Sequence, residues 1–288
     1  MKFRQLISML ILWLLIPGHT LAVDIAIYAQ LNLKTDPRNE YPVQLLELAL
    51  KNSGEPIALE ASVENLHQGQ AMRMIQNNNG VDVVWTMTSQ LREKILLPIK
   101  IPIYKGLIGW RLCIIHPQNK SIFASVKSLS GLSDVTFVQG HDWPDTNIFK
   151  FNRLSVTSVS NYQAMFDMVL FRRVDAFPRA VIEIWPELES HKDLQVDSHL
   201  LIRYPAAVYY FVNRKNQKLY NAIMIGLNKA IINGDFNRLF NNFYLNAIQR
   251  AKLNKRRVIN LINPLLPKNT PLDKQQLWYR SSFLDDDE

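Results

Sequence analysis

Apolar residues recur along the chain in two spacings, one typical of β-strands and one typical of amphipathic helices. Short apolar runs at residues 24–29, 57–61 and 81–85 predict strands. Between them, residues 41–53 and 68–77 carry apolar positions at helical spacing. This β-α-β-α-β order predicts a mainly parallel sheet that is covered by helices on both faces.

A second set of strands and helices follows the first. Its predicted strands and helices, in chain order, are strand 135–139, a helix from Pro144, strand 154–159, helix 162–172 and strand 175–178. The apolar stretch 107–115 predicts a strand that leaves the first set for the second, and strands 200–204 and 208–213 return. Amphipathic helices over 218–233 and 236–250 complete the pattern.

Together these elements predict an α/β fold of two lobes, each with a parallel or mixed sheet flanked by helices. Residues 23–107 and 206–250 would form the first lobe, and residues 108–205 the second. Two crossings, near 107–110 and 204–208, would act as hinges beside a cleft. Three prolines predict an irregular tail over 251–288, which Trp278 and Phe283 are expected to anchor.

The N-terminal residues 1–22 have the three-part layout of a cleaved secretory signal. Lys2 and Arg4 precede an apolar stretch over 6–16, and Thr20 and Ala22 supply small residues before a cut. A retained membrane anchor is the alternative, but the apolar stretch is shorter than the roughly 20 residues that span a bilayer. We therefore expect a periplasmic protein that does not span the membrane after cleavage.

Composition narrows the range of partners. The formal net charge is +8, and the chain has a single cysteine, Cys113, so no intrachain disulfide can form. An exported protein has little access to nucleic acid, so we interpret the positive charge as solubility or attraction to anions. Cys113 lies within an apolar stretch, which favours a buried strand position over a nucleophile.

The sequence lacks the motifs of several enzyme classes. It has no Gly-x-Ser-x-Gly elbow, no phosphate-binding loop that ends in Gly-Lys-Ser/Thr, and no Gly-x-Gly-x-x-Gly. Its histidines are not in a metal-ligand spacing. We therefore expect neither a cofactor nor a bound metal, and we expect ligand binding in place of catalysis.

The segment from Gln139 to Thr146 is predicted to contain the end of a buried strand at Gly140, followed directly by the start of a helix. Such a junction presents unpaired backbone N–H groups beyond the sheet edge. Together with the secretory signal, it predicts a receptor for a small polar molecule.

Several segments, in their order and spacing, resemble the type II periplasmic solute-binding proteins. The likeness is to the bacterial extracellular family 3 group, which includes polar amino-acid receptors of ABC transporters. The residues that carry it are the strand and Thr-x-x-Arg-like segment over 81–92, Pro102-Ile103-Tyr104, Val138-Gln139-Gly140-His141, and Arg172-Arg173-Val174-Asp175-Ala176. An uncharacterised branch of these receptors is similar in its Asp-Ala-Phe-Pro-Arg segment, here 175–179, and in its tail.

The resemblance implies that Arg92 holds an anionic group of the ligand. The acidic residue that holds the ligand ammonium in amino-acid receptors falls at Ala180, with Arg179 beside it. This substitution argues against a free α-amino acid and favours a small polar solute with at least one negative group.

Ten residues are the predicted ligand contacts, five in each lobe. They are Tyr28, Trp85, Thr88, Arg92 and Tyr104 in the first lobe, and Gly140, His141, Asp142, Trp143 and Arg179 in the second. Six of them have an ordinary structural alternative: a surface arginine for Arg92, core aromatic residues for Tyr28 and Trp143, helix caps for His141 and Asp142, and an ion pair with Glu183 for Arg179.

The predicted function is the binding of a small polar, anionic solute by a monomer that delivers it to an ABC permease. The first alternative is a sensor that reports ligand binding to a membrane signalling protein. A second alternative is a cell-wall lytic enzyme built on the same scaffold. We expect no such enzyme, because little sequence follows Tyr244 to hold a further catalytic domain.

Overall fold

Two β-sheets, each flanked by helices, organise the residues that the computed structural model describes, 23–31 and 39–281. The predicted secretory signal over 1–22 and the predicted anchor Phe283 lie outside the described residues. Within the described ranges, no helix combines the length and apolar character needed to cross a membrane.

The first sheet has five strands in the order β2-β1-β3-β11-β4. They are β1 (Asp24–Tyr28), β2 (Ile57–Ala61), β3 (Val83–Met87), β4 (Leu97–Ile99) and β11 (Val208–Val212). Strands β1, β2 and β3 run parallel, whereas β11 is antiparallel to both β3 and β4. The helices of this lobe are α1 (Glu40–Ser53), α2 (Gln68–Gln76), α3 (Gln90–Ile95), α9 (Gln217–Ile232) and α10 (Asp235–Ala251).

The second sheet has the order β12-β10-β5-β8-β6-β7, and β9 pairs with β5. Its strands are β5 (Trp110–Ile115), β6 (Thr136–Gly140), β7 (Ser155–Val159), β8 (Ala176–Ala180), β9 (Gln195–Val196), β10 (Leu200–Arg203) and β12 (Arg257–Asn260). Its helices are α4 (Lys120–Ser125), α5 (Leu129–Leu132), α6 (Pro144–Phe151), α7 (Tyr162–Leu170) and α8 (Ile184–Glu189). The strands β6, β7 and β8 are parallel, and β5 is antiparallel to β8.

The two predicted crossings connect the sheets and lie side by side. The backbone N–H of Tyr204 donates to the carbonyl of Gly109 at 3.1 Å. A Cβ atom at Gly109 would lie 2.1 Å from the carbonyl oxygen of Tyr204, so only glycine allows this approach. The strand predicted over 107–115 begins only at Trp110, because residues 107–109 form a 3₁₀ turn at the crossing.

The tail predicted to be irregular from residue 251 contains strand β12, so that part of the prediction is wrong. Residues Arg257–Asn260 pair in parallel with β10 and extend the second sheet. With only two apolar residues, Val258 and Ile259, the segment is too short to signal a strand by periodicity. The backbone hydrogen bonds with its partner strand β10 hold this segment in the strand conformation.

Candidate functional site

A cleft of about 380 Å³ lies between the two lobes. The first lobe contributes the start of α3, and the second lobe contributes the turn between β6 and α6. The lining residues are Ser89, Gln90, Leu91, Arg92, His141, Asp142, Trp143, Pro144, Asn147, Pro264 and Leu265. Strands β3 and β6 both end at this edge, which is where parallel sheets present binding residues.

Arg92 is the cation on the first-lobe side of the cleft. Its Nη1 donates to Oγ1 of Thr86 at 2.6 Å and to the carbonyl of Met87 at 2.8 Å. Its Nη2 lies 3.3 Å from Oε1 of Gln68, which also accepts a hydrogen bond from Thr86. These bonds fix the guanidinium in one orientation, with partners on the sheet and on α2.

The helix that carries Arg92 is capped by Ser89, whose Oγ accepts the backbone N–H of Arg92 at 3.2 Å. Burial lowers the pKa of the Arg92 guanidinium, and the carboxylates of Asp142 and Asp145 across the cleft oppose that shift. The charge therefore sits in a partly desolvated place, where its attraction for an anion is stronger than in water.

Gly140 and Trp143 shape the second-lobe side. The backbone N–H of Trp143 donates to the carbonyl of Gly140 at 3.1 Å, and Oγ1 of Thr146 donates to the same carbonyl at 2.7 Å. A Cβ atom at Gly140 would lie 2.6 Å from the indole ring of Trp143. The indole thus lies directly against the glycine backbone, so glycine is required at residue 140.

His141 and Asp142 project from this turn into solvent at the cleft. Their side chains are 60% and 59% exposed, and Nδ1 of His141 lies 3.9 Å from Oδ1 of Asp142. The N-cap position of α6 is Trp143, and no side chain makes a capping hydrogen bond there. Neither His141 nor Asp142 therefore caps the helix, and both residues line the cleft.

Beneath the turn, Asp145 belongs to a buried polar cluster at the cleft edge of the second sheet. Its Oδ1 accepts hydrogen bonds from Nη2 of Arg111 and from the hydroxyl of Tyr204. Nε of Arg111 also donates to the Tyr204 hydroxyl at 2.9 Å. Burial alone would lower the pKa of Arg111, but Asp145, Tyr204 and Glu183 together outweigh the effect of burial and raise the pKa.

Arg179 belongs to the same edge and is only 3% exposed. Its Nε and Nη2 each donate to Glu187 at 2.6 Å, and Nη2 lies 3.2 Å from the carboxylate of Glu183. Its guanidinium carbon lies 4.9 Å from the centre of the Trp143 ring. The expectation that Arg179 clamps the ligand is therefore corrected: it pairs with two glutamates and supports Trp143 from behind.

Several solved structures match the chain, although no family model and no curated protein does. An ancestral arginine-binding protein bound to arginine is 14% identical, with a TM-score of 0.56 over 77% of this chain and 97% of that chain. A periplasmic His/Glu/Gln/Arg/opine family-binding protein from Silicibacter pomeroyi in complex with lysine is 9% identical, with a TM-score of 0.56 over 77% of this chain and 96% of that one. An amino acid ABC transporter substrate-binding protein from Streptococcus pneumoniae bound to L-arginine is 11% identical, with a TM-score of 0.55, covering 78% and 95%.

The chain has the two-lobed fold of periplasmic binding proteins. The fold class predicted from the sequence is thus confirmed. At these identities the likeness establishes the fold alone, so the site has to be argued from this chain's own residues.

The other predicted contacts of the first lobe are not among the described residues that line the cleft of this periplasmic binding-protein fold. Trp85 is 6% exposed and packs between the rings of Tyr28, at 6.0 Å, and Tyr210, at 6.5 Å. It projects from the opposite face of β3 to Thr86, which faces Arg92. Trp85 is therefore part of the core, which corrects the expectation of an aromatic floor there, whereas Tyr28 is partly exposed and packs against that core.

Thr88 and Tyr104 are also in the body of the first lobe. Thr88 is fully buried, and its Oγ1 donates to Oε1 of Glu93 at 2.7 Å. Tyr104 packs on Tyr41, with ring centres 5.5 Å apart, and on Tyr244. Neither is among the described residues that line the cleft, so both expectations are corrected.

The sequence reasoning missed four kinds of contribution to the binding-protein cleft. Gln68 and Thr86 orient Arg92 from two different elements, and no local pattern signals this. Ser89, three residues before Arg92, is a recognisable helix cap. Asn147 lies in the predicted helix but was not named as a cleft residue. Pro264 and Leu265 come from the tail, far away in sequence.

Among the described residues, no group of three or more His, Cys, Asp or Glu side chains is arranged to hold a metal.

Proposed function

We propose that the protein binds a small polar solute with an anionic group in the cleft between its lobes. The observation that supports this most strongly is the placement of Arg92. Its guanidinium is fixed by Thr86 and Met87 on one lobe and faces the start of α6 on the other. Backbone N–H groups and the dipole of a helix start also favour negative charge.

The chemistry of the second lobe adds a requirement for hydrogen-bond donors on the solute. Asp142 is an exposed acceptor beside His141, on the side of the cleft opposite Arg92. The half-buried indole of Trp143 offers a ring face or edge to the same space. A solute with an anionic group at one end and hydroxyl or amine groups at the other would satisfy both lobes.

The environment of Ala180 supports a ligand other than a free α-amino acid. The nearest carboxylate, Glu183, accepts the backbone N–H of Ala180 at 3.3 Å and lies 3.2 Å from Arg179. It also lies 3.6 Å from Arg111. The second lobe thus engages this carboxylate in contacts of its own, and residue 180 itself offers no carboxylate to a ligand ammonium.

Ligand contacts to both lobes at once would favour the closed arrangement, and the closed complex would then be recognised at a membrane. One of the solved relatives is a substrate-binding protein of an amino acid ABC transporter. This supports delivery to a permease in the periplasm, with signalling to a membrane sensor as the second candidate. In both functions, delivery and signalling, the solute would be released unaltered, without catalysis.

Isothermal titration of the mature protein tests the proposal, after a thermal-shift screen has selected a solute. The screen contains anionic metabolites, sugars and peptides, with L-arginine and L-lysine included because solved relatives are bound to them. We expect an anionic solute to bind, and Arg92→Gln to weaken its affinity roughly 10- to 150-fold, because charged hydrogen bonds are lost.

The matched control is Arg73→Gln, which removes an exposed arginine from α2 in the same lobe. It should leave the affinity unchanged. Equal affinity in the wild type and Arg92→Gln would contradict the proposed site. Selective binding of L-arginine or L-lysine would contradict the inference that the solute is not a free α-amino acid.

A further inference from the structure

The tail does not end where strand β12 ends but continues from the second lobe to the first. The backbone N–H of Leu261 donates to the carbonyl of Arg203 at 2.7 Å, which keeps the chain beside β10. Eighteen residues later, by sequence numbering, the N–H of Tyr279 donates to the carbonyl of Lys105 at 2.8 Å, at the start of the first crossing. We call residues 261–279 the tail segment.

The tail segment is held to the second lobe by Asn152, which follows α6. Nδ2 of Asn152 donates to the carbonyl of Ile262 at 2.8 Å, and the N–H of Ile262 donates back to Oδ1 of Asn152 at 2.9 Å. These two reciprocal hydrogen bonds resemble those that the backbones of neighbouring β-strands exchange. It joins the tail segment to the same helix whose start forms one wall of the cleft.

The middle of the tail segment reaches the hinge and then the first lobe. Nδ2 of Asn263 donates to the carbonyl of Pro205 at 2.8 Å, and its Oδ1 accepts the N–H of Leu265 at 3.0 Å. The carbonyl of Leu265 then accepts the N–H of Gln90 at 3.2 Å. Gln90 is the first residue of α3, the helix that carries Arg92.

The far end of the tail segment packs on the first crossing. A Cβ atom at Gly106, where φ is +79°, would lie 2.6 Å from the ring of Trp278, so the indole lies flat against this glycine. Nε1 of Trp278 donates to the carbonyl of Pro271 at 2.8 Å. The ring of Tyr279 meets Trp110 edge-on at 5.6 Å. The sequence expectation that Trp278 anchors the tail agrees with these contacts.

We propose that residues 261–279 form a fourth crossing between the lobes and restrain the opening of the cleft. Three connections precede it: the two side-by-side crossings of the hinge, about which the lobes can separate, and the link from α10 in the first lobe to β12 in the second. The tail segment is bonded to both lobes beside the cleft and limits that separation, since opening must break the Gln90–Leu265 hydrogen bond. Pro264 and Leu265 line the cleft at this point, so the restraint acts at the site of the proposed function.

The substitution Gln90→Pro tests this restraint with little other disturbance. Proline removes the N–H that Leu265 accepts, and it is well tolerated as the first residue of a helix. The preceding Ser89 is extended, with φ −153° and ψ 160°, as a residue before proline should be. The matched control is Leu129→Pro at the first position of α5, which follows Ser128 with φ −151° and ψ 172°.

The measurement is the distance between two spin labels, one in each lobe, without any added solute. Labels at the exposed positions Lys51 in α1 and Lys150 in α6 are introduced as cysteines in a Cys113→Ala background. We expect one dominant distance in the wild type. Gln90→Pro should raise the ratio of open to closed molecules about 2- to 12-fold, as the loss of one hydrogen bond implies. Leu129→Pro should match the wild type.

Asn263→Ala is the second variant, and it decides the question if Gln90→Pro fails to fold. It removes the bond to Pro205 and should also lengthen the distances. Distances unchanged from the wild type in the folded variants would overturn the proposal. Because the labels report on the unliganded protein, this outcome is independent of whether the cleft binds a solute.

Discussion

At the scale of single residues, the contact between Gly140 and Trp143 determines the shape of the second-lobe wall. The indole occupies the space that any larger side chain at residue 140 would need. Its other side faces the ring of Phe177, 6.2 Å away, and the guanidinium of Arg179. Trp143 is therefore held from both sides, and its exposed edge is presented to the cleft.

The substitution Gly140→Ala should displace this indole. We expect the free energy of unfolding to fall by about 1–3 kcal/mol, as overpacked sites do, and the affinity for a cleft ligand to fall with it. Urea denaturation followed by circular dichroism measures the stability. The control is Gly131→Ala in α5 of the same lobe, where the nearest atoms lie 3.8 Å away and no loss is expected. Equal stabilities of the two variants would contradict the packing described here.

The sequence placed some cleft residues correctly and misplaced others, and strand boundaries explain the difference. Arg92, His141, Asp142 and Trp143 follow strand ends and do line the cleft. Trp85 was expected at the end of a strand over 81–85, but β3 extends to Met87 and turns Trp85 inward. Arg179 was expected just after a strand, but β8 includes it and buries it. An error of two residues in a strand end thus places a residue that was expected beyond the sheet within a strand, where neighbouring strands and helices bury it.

At the scale of secondary structure, α3 is a six-residue helix whose position depends on its cap. Ser89 accepts the N–H of Arg92, so the cap and the side chain that we propose to bind an anion belong to one short turn. A helix this short has little stability of its own, and its orientation comes from such contacts. The geometry of Arg92 should consequently respond to changes at Ser89.

We expect Ser89→Ala to cost about 1 kcal/mol of stability and to weaken binding of the anionic solute. The matched control is Ser128→Ala, which removes the equivalent cap of α5 in the second lobe, where Oγ accepts the N–H of Gly131 at 3.4 Å. That variant should lose similar stability but keep its affinity. Denaturation and calorimetric titration of both proteins separate the two effects. If both variants bind as tightly as the wild type, α3 does not position the ligand contact.

Periodicity predicted the longer elements because each buries one apolar face. The helices α1, α9 and α10 begin and end within a few residues of their expected positions. The same holds for the strands of both sheets that were predicted from β-rich stretches. Shorter elements such as α3, α5, α8 and β4 span six residues or fewer and were not predicted. Too few residues are available in them for a period to show, and tertiary partners determine their conformation.

At the scale of the whole molecule, two mixed sheets face each other across a cleft, and two adjacent crossings form the hinge between them. This architecture could be predicted from the order of strands and helices alone. The contribution of the tail could not, because its contacts with Asn152, Gln90 and Lys105 join residues far apart in sequence. Its three prolines gave only the signal of an irregular segment.

A crystal structure of the protein with the solute selected by the screen tests the central claim most directly. The account predicts that the solute lies between the lobes, with its anionic group within hydrogen-bond distance of the Arg92 guanidinium. Its remaining polar groups should contact the turn at His141 and Asp142. A solute bound elsewhere, or held by one lobe with Arg92 still directed only at Thr86 and Met87, would contradict it.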